Sequence, residues 1–357
     1  MKGKQGMVCM GLLLVLSSCS CHTGKQITAS GLQRKDFQTE VNGQHTDLFT
    51  LSNKQGMEVC ITNYGARVVS ILVPDRNGKR EDVVCGFSTI TEYMEQRQNF
   101  GSTVGRYIGR ILNARFTLDG VEYKLVPNNG KSGHISHGGN PGFADRIWKV
   151  EQADTHRVRL SYLSPDGENG FPGNLKVTLV YSLGEDDNAL DLTYEATTDA
   201  PTVLNLSHHS FFNISGNFTK SVEDQQLWVD ADRFTPYDDK KCVTGEYLPV
   251  AGTPLDFRMP HTIGECIDAD HPQLKVVNGY DHTWELNTKG DDTRPAAWVY
   301  DPASGRKMEI FTTEPGMQIY TGNGLKGKMT GKGGIAYPFR SAVCFETMHF
   351  QDSPNQP

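Results

Sequence analysis

Strand-like alternation recurs along almost the whole chain while helical periodicity hardly occurs, and this contrast constrains the fold more than any other feature. The runs are "MEVCIT" at 57–62, "ARVVSILV" at 66–73, "RVRLSY" at 157–162, "LKVTLVYSL" at 175–183 and "ALDLTYEA" at 189–196. Each is short and bounded by turn residues. In "RFTLDGVEYKL", Asp119 and Gly120 form a two-residue turn of left-handed type between two alternating runs, which signals a hairpin. "PDRNGK" supplies another turn. The best helical candidate is "STITEYMEQ" at 88–96, opening on a Ser88 cap. Glycine contributes 37 of 357 residues, an excess that suits a fold with many turns. These features predict an all-β protein, a large antiparallel β-sandwich. No linker of biased composition interrupts the body, so one domain is expected over 37–357.

The first residues read differently. Lys2 and Lys4 precede an apolar run from Met7 to Leu16, too short for a permanent membrane span but suited to a secretory signal over 1–18. "LSSC" at 16–19 resembles a bacterial lipobox, which implies cleavage before Cys19 and lipid attachment to its thiol. The polar stretch 19–36 is then expected to tether the body to an envelope membrane, the outer membrane facing the periplasm. Net charge is −7 with no basic block, so neither nucleic acid nor an anionic membrane surface is an expected partner. The remaining cysteines are scattered: Cys60, Cys85 and Cys344 read as buried thiols, and Cys242 with Cys266 is the one pair that invites a disulfide.

Polar side chains concentrate near glycines in "GRYIGRI" at 105–111, "HISHGGNPGF" at 134–143, "NLSHHSFFNISG" at 205–216, "GYDHTW" at 279–284 and "CFETMHF" at 344–350. Together they hold imidazoles and carboxylates that exchange protons near neutral pH, with arginine and aspartate to orient hydroxyls. The adjacent His208 and His209 cannot share a site on a regular strand, because successive side chains point to opposite faces. His209 shares a face with Asn205, Ser207 and Phe211, the more polar one; His208 falls with Leu204, Leu206, Ser210 and Phe212. On the residues alone, a strand histidine satisfied by neighbouring hydroxyls is the preferred reading of His209. Glu346 interrupts the apolar run "AVCFET", where an unpaired carboxylate is costly and hints at function. Arg106 and Arg110 fall on one face of an extended segment, one as a structural ion pair and Arg110 as the ligand. The HxxH spacing of His134 and His137, with Asp281 and His282, also leaves a zinc site open. Phe143, Trp284 and Tyr320 are candidates for a sugar-stacking wall, with core packing as the default.

From about residue 45 onward these segments, in order, resemble the aldose 1-epimerase (galactose mutarotase) family. "GSTVGRYIGRILNARFTLDGVEYKL", "SHGGNPGFADRIW", "VLNLSHHSFFNISG", "NGYDHTW", "EPGMQIYTGN" and "VCFETMHFQDSPNQP" carry the likeness. It implies that family's β-sandwich with a sugar cleft on one sheet, and anomer interconversion of free hexoses such as galactose and glucose. It implies Glu346 as catalytic base, His209 as the acid at the ring oxygen, His137 holding that oxygen, and Arg110, Asp281 and Gln318 as hydroxyl ligands. Glu346 is expected ionised and His209 protonated when the ring opens. No cofactor and no metal is expected, because both proton transfers can be made by side chains.

Two other readings stand beside it: a glycoside hydrolase using Asp281 and Glu346, and a lipid-anchored sugar-binding protein without turnover. The chain also departs from the family. Gly109 stands where asparagine is common, Met348 where glutamine is common, and the family usually continues past "DSPNQP" into a final strand. The last departure predicts a bare sheet edge.

Overall fold

The computed structural model describes residues 26–356. The signal segment, Cys19 and the first part of the expected tether lie outside the described residues. Two α-helices occur among those described, Ile90–Gln96 and Pro272–Val277; the rest is strand, turn and 3₁₀.

Each apolar run becomes a strand. Leu48–Ser52, Glu58–Thr62, Arg67–Pro74 and Arg80–Asp82 form an antiparallel sheet in chain order. Lys149–Ala153, Arg157–Ser164, Leu175–Leu183 and Leu190–Thr198 form a second. They share a core in which Val59, Ile61 and Val68 of the first sheet join Val158, Leu160, Val177 and Leu179 of the second. Cys60 and Val69, on the other face of the first sheet, join a further core with Phe87, Tyr93, Phe100 and Phe211. Burial on both faces explains why "ARVVSILV" is nearly continuous in apolar residues.

A six-stranded sheet runs in the order Phe211–Phe212, Val343–Met348, Gly316–Tyr320, Asp281–Leu286, Ala231–Thr235, Leu248–Pro249. One face buries Trp284, Met317, Ile319, Val343 and Phe345 against a four-stranded sheet that supplies Leu227, Val229, Ala297 and Val299. The architecture is thus an all-β sandwich assembly, as the alternation predicts. The hairpin forms between Arg115–Leu118 and Val121–Lys124, with φ of 51° at Asp119 and 79° at Gly120.

Several expectations need correction. Residues 26–36 are docked on the body instead of belonging to a tether. The buried Glu58 carboxylate accepts the Ala29 and Ser30 N–H groups at 2.7 and 3.2 Å, and Leu32 joins Phe37 in the core. The helix cap is Thr89, whose hydroxyl accepts the Glu92 N–H while Glu92 reaches back to the Thr89 N–H, a capping box one residue beyond Ser88. Cys242 and Cys266 are both free thiols; Cys242 Sγ lies 3.3 Å from His134 Nε2. The last strand, Val343–Met348, is not the sheet's edge: Cys344 through Met348 pair with Gly316–Tyr320, Val343 and Cys344 pair with Phe211–Phe212, and Ser207 Oγ donates to Thr347 O.

Candidate active site

The six-stranded sheet builds the floor of a polar cleft through register alone. Directly opposed residues of antiparallel strands share a face. Thr283, Gln318 and Glu346 therefore form one row across three strands, and Asp281, Tyr320, Cys344 and Phe211 form the next. Alternate residues of the same strands supply the apolar core beneath. A two-residue period thus separates chemistry from packing.

His209 reaches this floor from Ser207–His209, which pairs with Ser102–Val104 and is tied to the Glu346 strand by Ser207 Oγ donating to Thr347 O at 2.8 Å. The His209 ring stacks on Phe211, centroids 5.1 Å apart at 13°, and meets the His137 ring edge-on at 5.5 Å. Its Nε2 lies 3.3 Å from Glu346 Oε1, and both side chains are buried. His208 points away, with Nε2 2.6 Å from Ser210 Oγ and its ring edge-on to Tyr181.

His137 is brought in by the "HGG" turn. His137 itself has φ of 52°, and a Cβ on Gly138 would lie 2.0 Å from Gly105 O, so only glycine lets this loop close on the 105–106 backbone. The Gly109 N–H donates to His137 Nδ1 at 3.4 Å, which leaves Nε2 to carry the proton and donate into the cleft.

Arg110 lies across the Tyr237 ring at 6.0 Å and donates to Lys241 O. Gln318 Nε2 donates to Asp281 Oδ1 at 2.7 Å. The fold therefore brings Glu346, His209, His137, Arg110, Asp281 and Gln318 into one cleft.

Other candidates are placed elsewhere. Arg106 is buried scaffold: it donates to the carbonyls of Ser164, Pro165 and Pro172 and to the hydroxyls of Ser164 and Thr202. Trp284 and Phe143 are core residues, leaving Tyr320 as the one of the three aromatics on the cleft face. The HxxH zinc reading fails because its members are dispersed. His134 Nδ1 accepts the Asn113 N–H, and the His282 ring packs edge-on to Phe234 and Trp284. Among the described residues His209, Cys344 and Glu346 have potential ligand atoms within 4.8 Å of one another, and His209 and Glu346 face each other directly at 3.3 Å.

Sequence reasoning missed Thr283, Cys344, Tyr237 and Gln351 as cleft residues. The first two were recoverable, each lying two residues from a candidate on the same strand. Tyr237 and Gln351 come from irregular segments that carry no period.

Burial sets the charges. It pushes the Glu346 carboxyl well above the usual carboxylate range, with the Asp281 charge adding to the effect. It drives His209 well below the usual imidazole range, with His137 adding. His137 is lowered to about 4, by burial and then by the Arg110 charge, so it is neutral at pH 7. For Asp281, burial outweighs Arg110 and the Gln318 hydrogen bond and raises the carboxyl. Burial thus shifts both members of the pair toward their neutral forms, Glu346 upward and His209 downward. The ionised Glu346 and protonated His209 expected when the ring opens carry the same single proton as the neutral pair.

The chain matches the aldose 1-epimerase family model over residues 47–357. It is 39% identical over 309 residues to the galactose mutarotase of Sus scrofa, covering 87% of each chain. It is 35% identical over 316 residues to the aldose 1-epimerase of Escherichia coli K12, covering 88% of this chain and 90% of that protein. Among solved structures, galactose 1-epimerase from Lactobacillus acidophilus superposes with a TM-score of 0.78 at 29% identity, over 89% of this chain and 91% of that one. An aldose epimerase homologue from C. elegans gives a TM-score of 0.79 at 30% identity, over 87% and 92%. Cleft, fold and relatives agree: this chain belongs to the aldose 1-epimerase family.

Proposed function

We infer that the protein interconverts the α and β anomers of free hexoses, with Glu346 and His209 making the two proton transfers. The observation that carries this reading is the facing of a buried carboxyl and a buried imidazole at 3.3 Å on a floor that also carries Asp281 and Gln318. Arg110, Asp281 and Gln318 hold sugar hydroxyls. His137, neutral and with Nε2–H free, donates to the ring oxygen.

The chemistry follows from one shared proton. Sugar hydroxyls replace the water that burial removed from the charged groups, so the proton passes from Glu346 to His209 when substrate binds. Glu346 then takes the proton of the anomeric hydroxyl while His209 Nε2 delivers its own to the ring oxygen, and the C1–O5 bond breaks to give the aldehyde. This leaves Glu346 protonated and His209 neutral, the state burial favours. The site therefore stabilises the open-chain stage. Rotation about C1–C2 presents the other carbonyl face, and return of both protons closes the ring with inverted configuration.

Polarimetry of freshly dissolved α-glucose and α-galactose tests the reading. Accelerated decay of rotation without release of nitrophenol from aryl glycosides supports it; hydrolysis, or sugar binding without acceleration, overturns it. Attachment to an envelope membrane through lipid on Cys19 is a separate proposal, supported by "LSSC" in the sequence. Cys19→Ala should abolish lipid labelling and membrane partitioning, and a wild-type chain without acyl groups would refute it.

A further inference from the structure

Gln351 sits on the segment that follows the Glu346 strand and folds back along the cleft. That segment is fixed on both sides: the Asp352 N–H donates to Arg110 O at 2.8 Å, the Asp352 carboxylate accepts the Leu112 N–H at 2.9 Å, and the Tyr107 hydroxyl donates to Phe350 O at 2.8 Å. Gln351 is only 6% exposed, and its Nε2 donates to the Tyr237 hydroxyl at 2.8 Å and to Gln318 Oε1 at 3.3 Å.

The donor pattern around Gln318 has one consistent solution. An ionised Asp281 carboxylate only accepts, so the Gln318 atom 2.7 Å from it must be the NH₂ group. The Gln318 carbonyl oxygen then faces the Thr283 hydroxyl and Gln351, and both must donate. Removing the Gln351 donor leaves the Gln318 carbonyl held by Thr283 alone, which loosens the Gln318–Asp281 pair that faces the sugar.

Room for Gln351 depends on Gly109. With φ of +74°, a Cβ there would lie 2.7 Å from Gln351 Cγ and 3.2 Å from Met348 Cε.

We propose that Gln351 is a positioning residue for sugar binding, holding the Gln318 carboxamide in the orientation that presents the Gln318–Asp281 pair to substrate, in space that Gly109 leaves open. This rests on the cleft being the sugar site. The test measures the galactose dissociation constant by calorimetry, alongside KM and kcat for anomer exchange and the melting temperature. Gln351→Leu and Gln351→Glu both remove the donor at similar size. Each should weaken galactose binding and raise KM about five- to tenfold, as expected for one hydrogen bond, while kcat changes less than twofold. Gly109→Asn should weaken binding by collision with Gln351. The Gly109→Asn, Gln351→Ala double variant should bind better than Gly109→Asn alone, a coupling that loss of packing would not give. Galactose affinity unchanged in both Gln351→Leu and Gln351→Glu would overturn the proposal. Weakened binding in a protein that never accelerates anomer exchange would keep the positioning role and refute the epimerase reading instead.

Discussion

Exchanging each of the adjacent histidines for asparagine should separate turnover from stability. His209 faces Glu346 at 3.3 Å, so His209→Asn removes the proton donor to the ring oxygen. A positioned general acid is worth roughly 10²- to 10⁴-fold, or about 3–5 kcal/mol of barrier at ~1.4 kcal/mol per tenfold. The loss should fall on kcat, because the transfer develops in the transition state. His208→Asn instead removes a hydrogen bond to Ser210 of 2.6 Å and an edge contact with Tyr181, on the face away from the cleft. One such bond contributes about 1 kcal/mol, and a melting point lower by roughly 1–2 °C follows for a chain of this size. Its kcat should stay within about threefold of wild type. Stopped-flow polarimetry with thermal denaturation of both variants checks this. Loss of turnover in His208→Asn with near-normal turnover in His209→Asn would refute the assignment of strand faces.

The remaining predictions concern charge. Catalytic efficiency should be bell-shaped in pH, active where the pair holds one proton. The acid limb is protonation of His209, lying below the ordinary 6.5, and the basic limb is ionisation of Glu346, lying above the ordinary 4.5. An acid limb at or above ordinary imidazole values would contradict the neutral resting pair. Because burial raises the folded-state Glu346 value, the carboxyl lowers stability as pH rises above its unfolded value. Glu346→Gln should therefore melt higher than wild type at neutral pH, and an unchanged or lower melting point would count against burial as the cause. Arg106→Lys should destabilise by several kcal/mol, since an ammonium cannot serve the acceptors Ser164, Pro165, Pro172 and Thr202 together. Arg110→Lys should chiefly raise KM, and the two effects interchanged would reverse their roles.

What was legible in the sequence follows from period. Two-residue alternation gave the strands to within a residue or two, the Asp119–Gly120 turn and the separation of His208 from His209, because burial of one face imposes that pattern directly. Which strands adjoin is a matter of long-range register, so the Thr283–Gln318–Glu346 row emerges only in three dimensions. The docking of 26–36 was hidden because polar residues there satisfy a buried carboxylate through backbone N–H groups, which leave no mark on side-chain composition. Pro272–Val277 is too short to show a helical period. For Trp284 the default of core packing holds, since alternation places it on the face opposite Asp281 and Thr283. How strongly burial shifts Glu346 and His209 toward their neutral forms was not legible, because a sequence shows which groups are present and not how little water surrounds them.

The central claim is that one proton shared by Glu346 and His209 drives anomer exchange. Saturation-transfer NMR on galactose at equilibrium measures that exchange directly, with binding followed in the same sample. In Glu346→Gln the account predicts exchange slowed at least about a hundredfold with galactose still bound at near wild-type affinity. Exchange at the wild-type rate in that variant would contradict it.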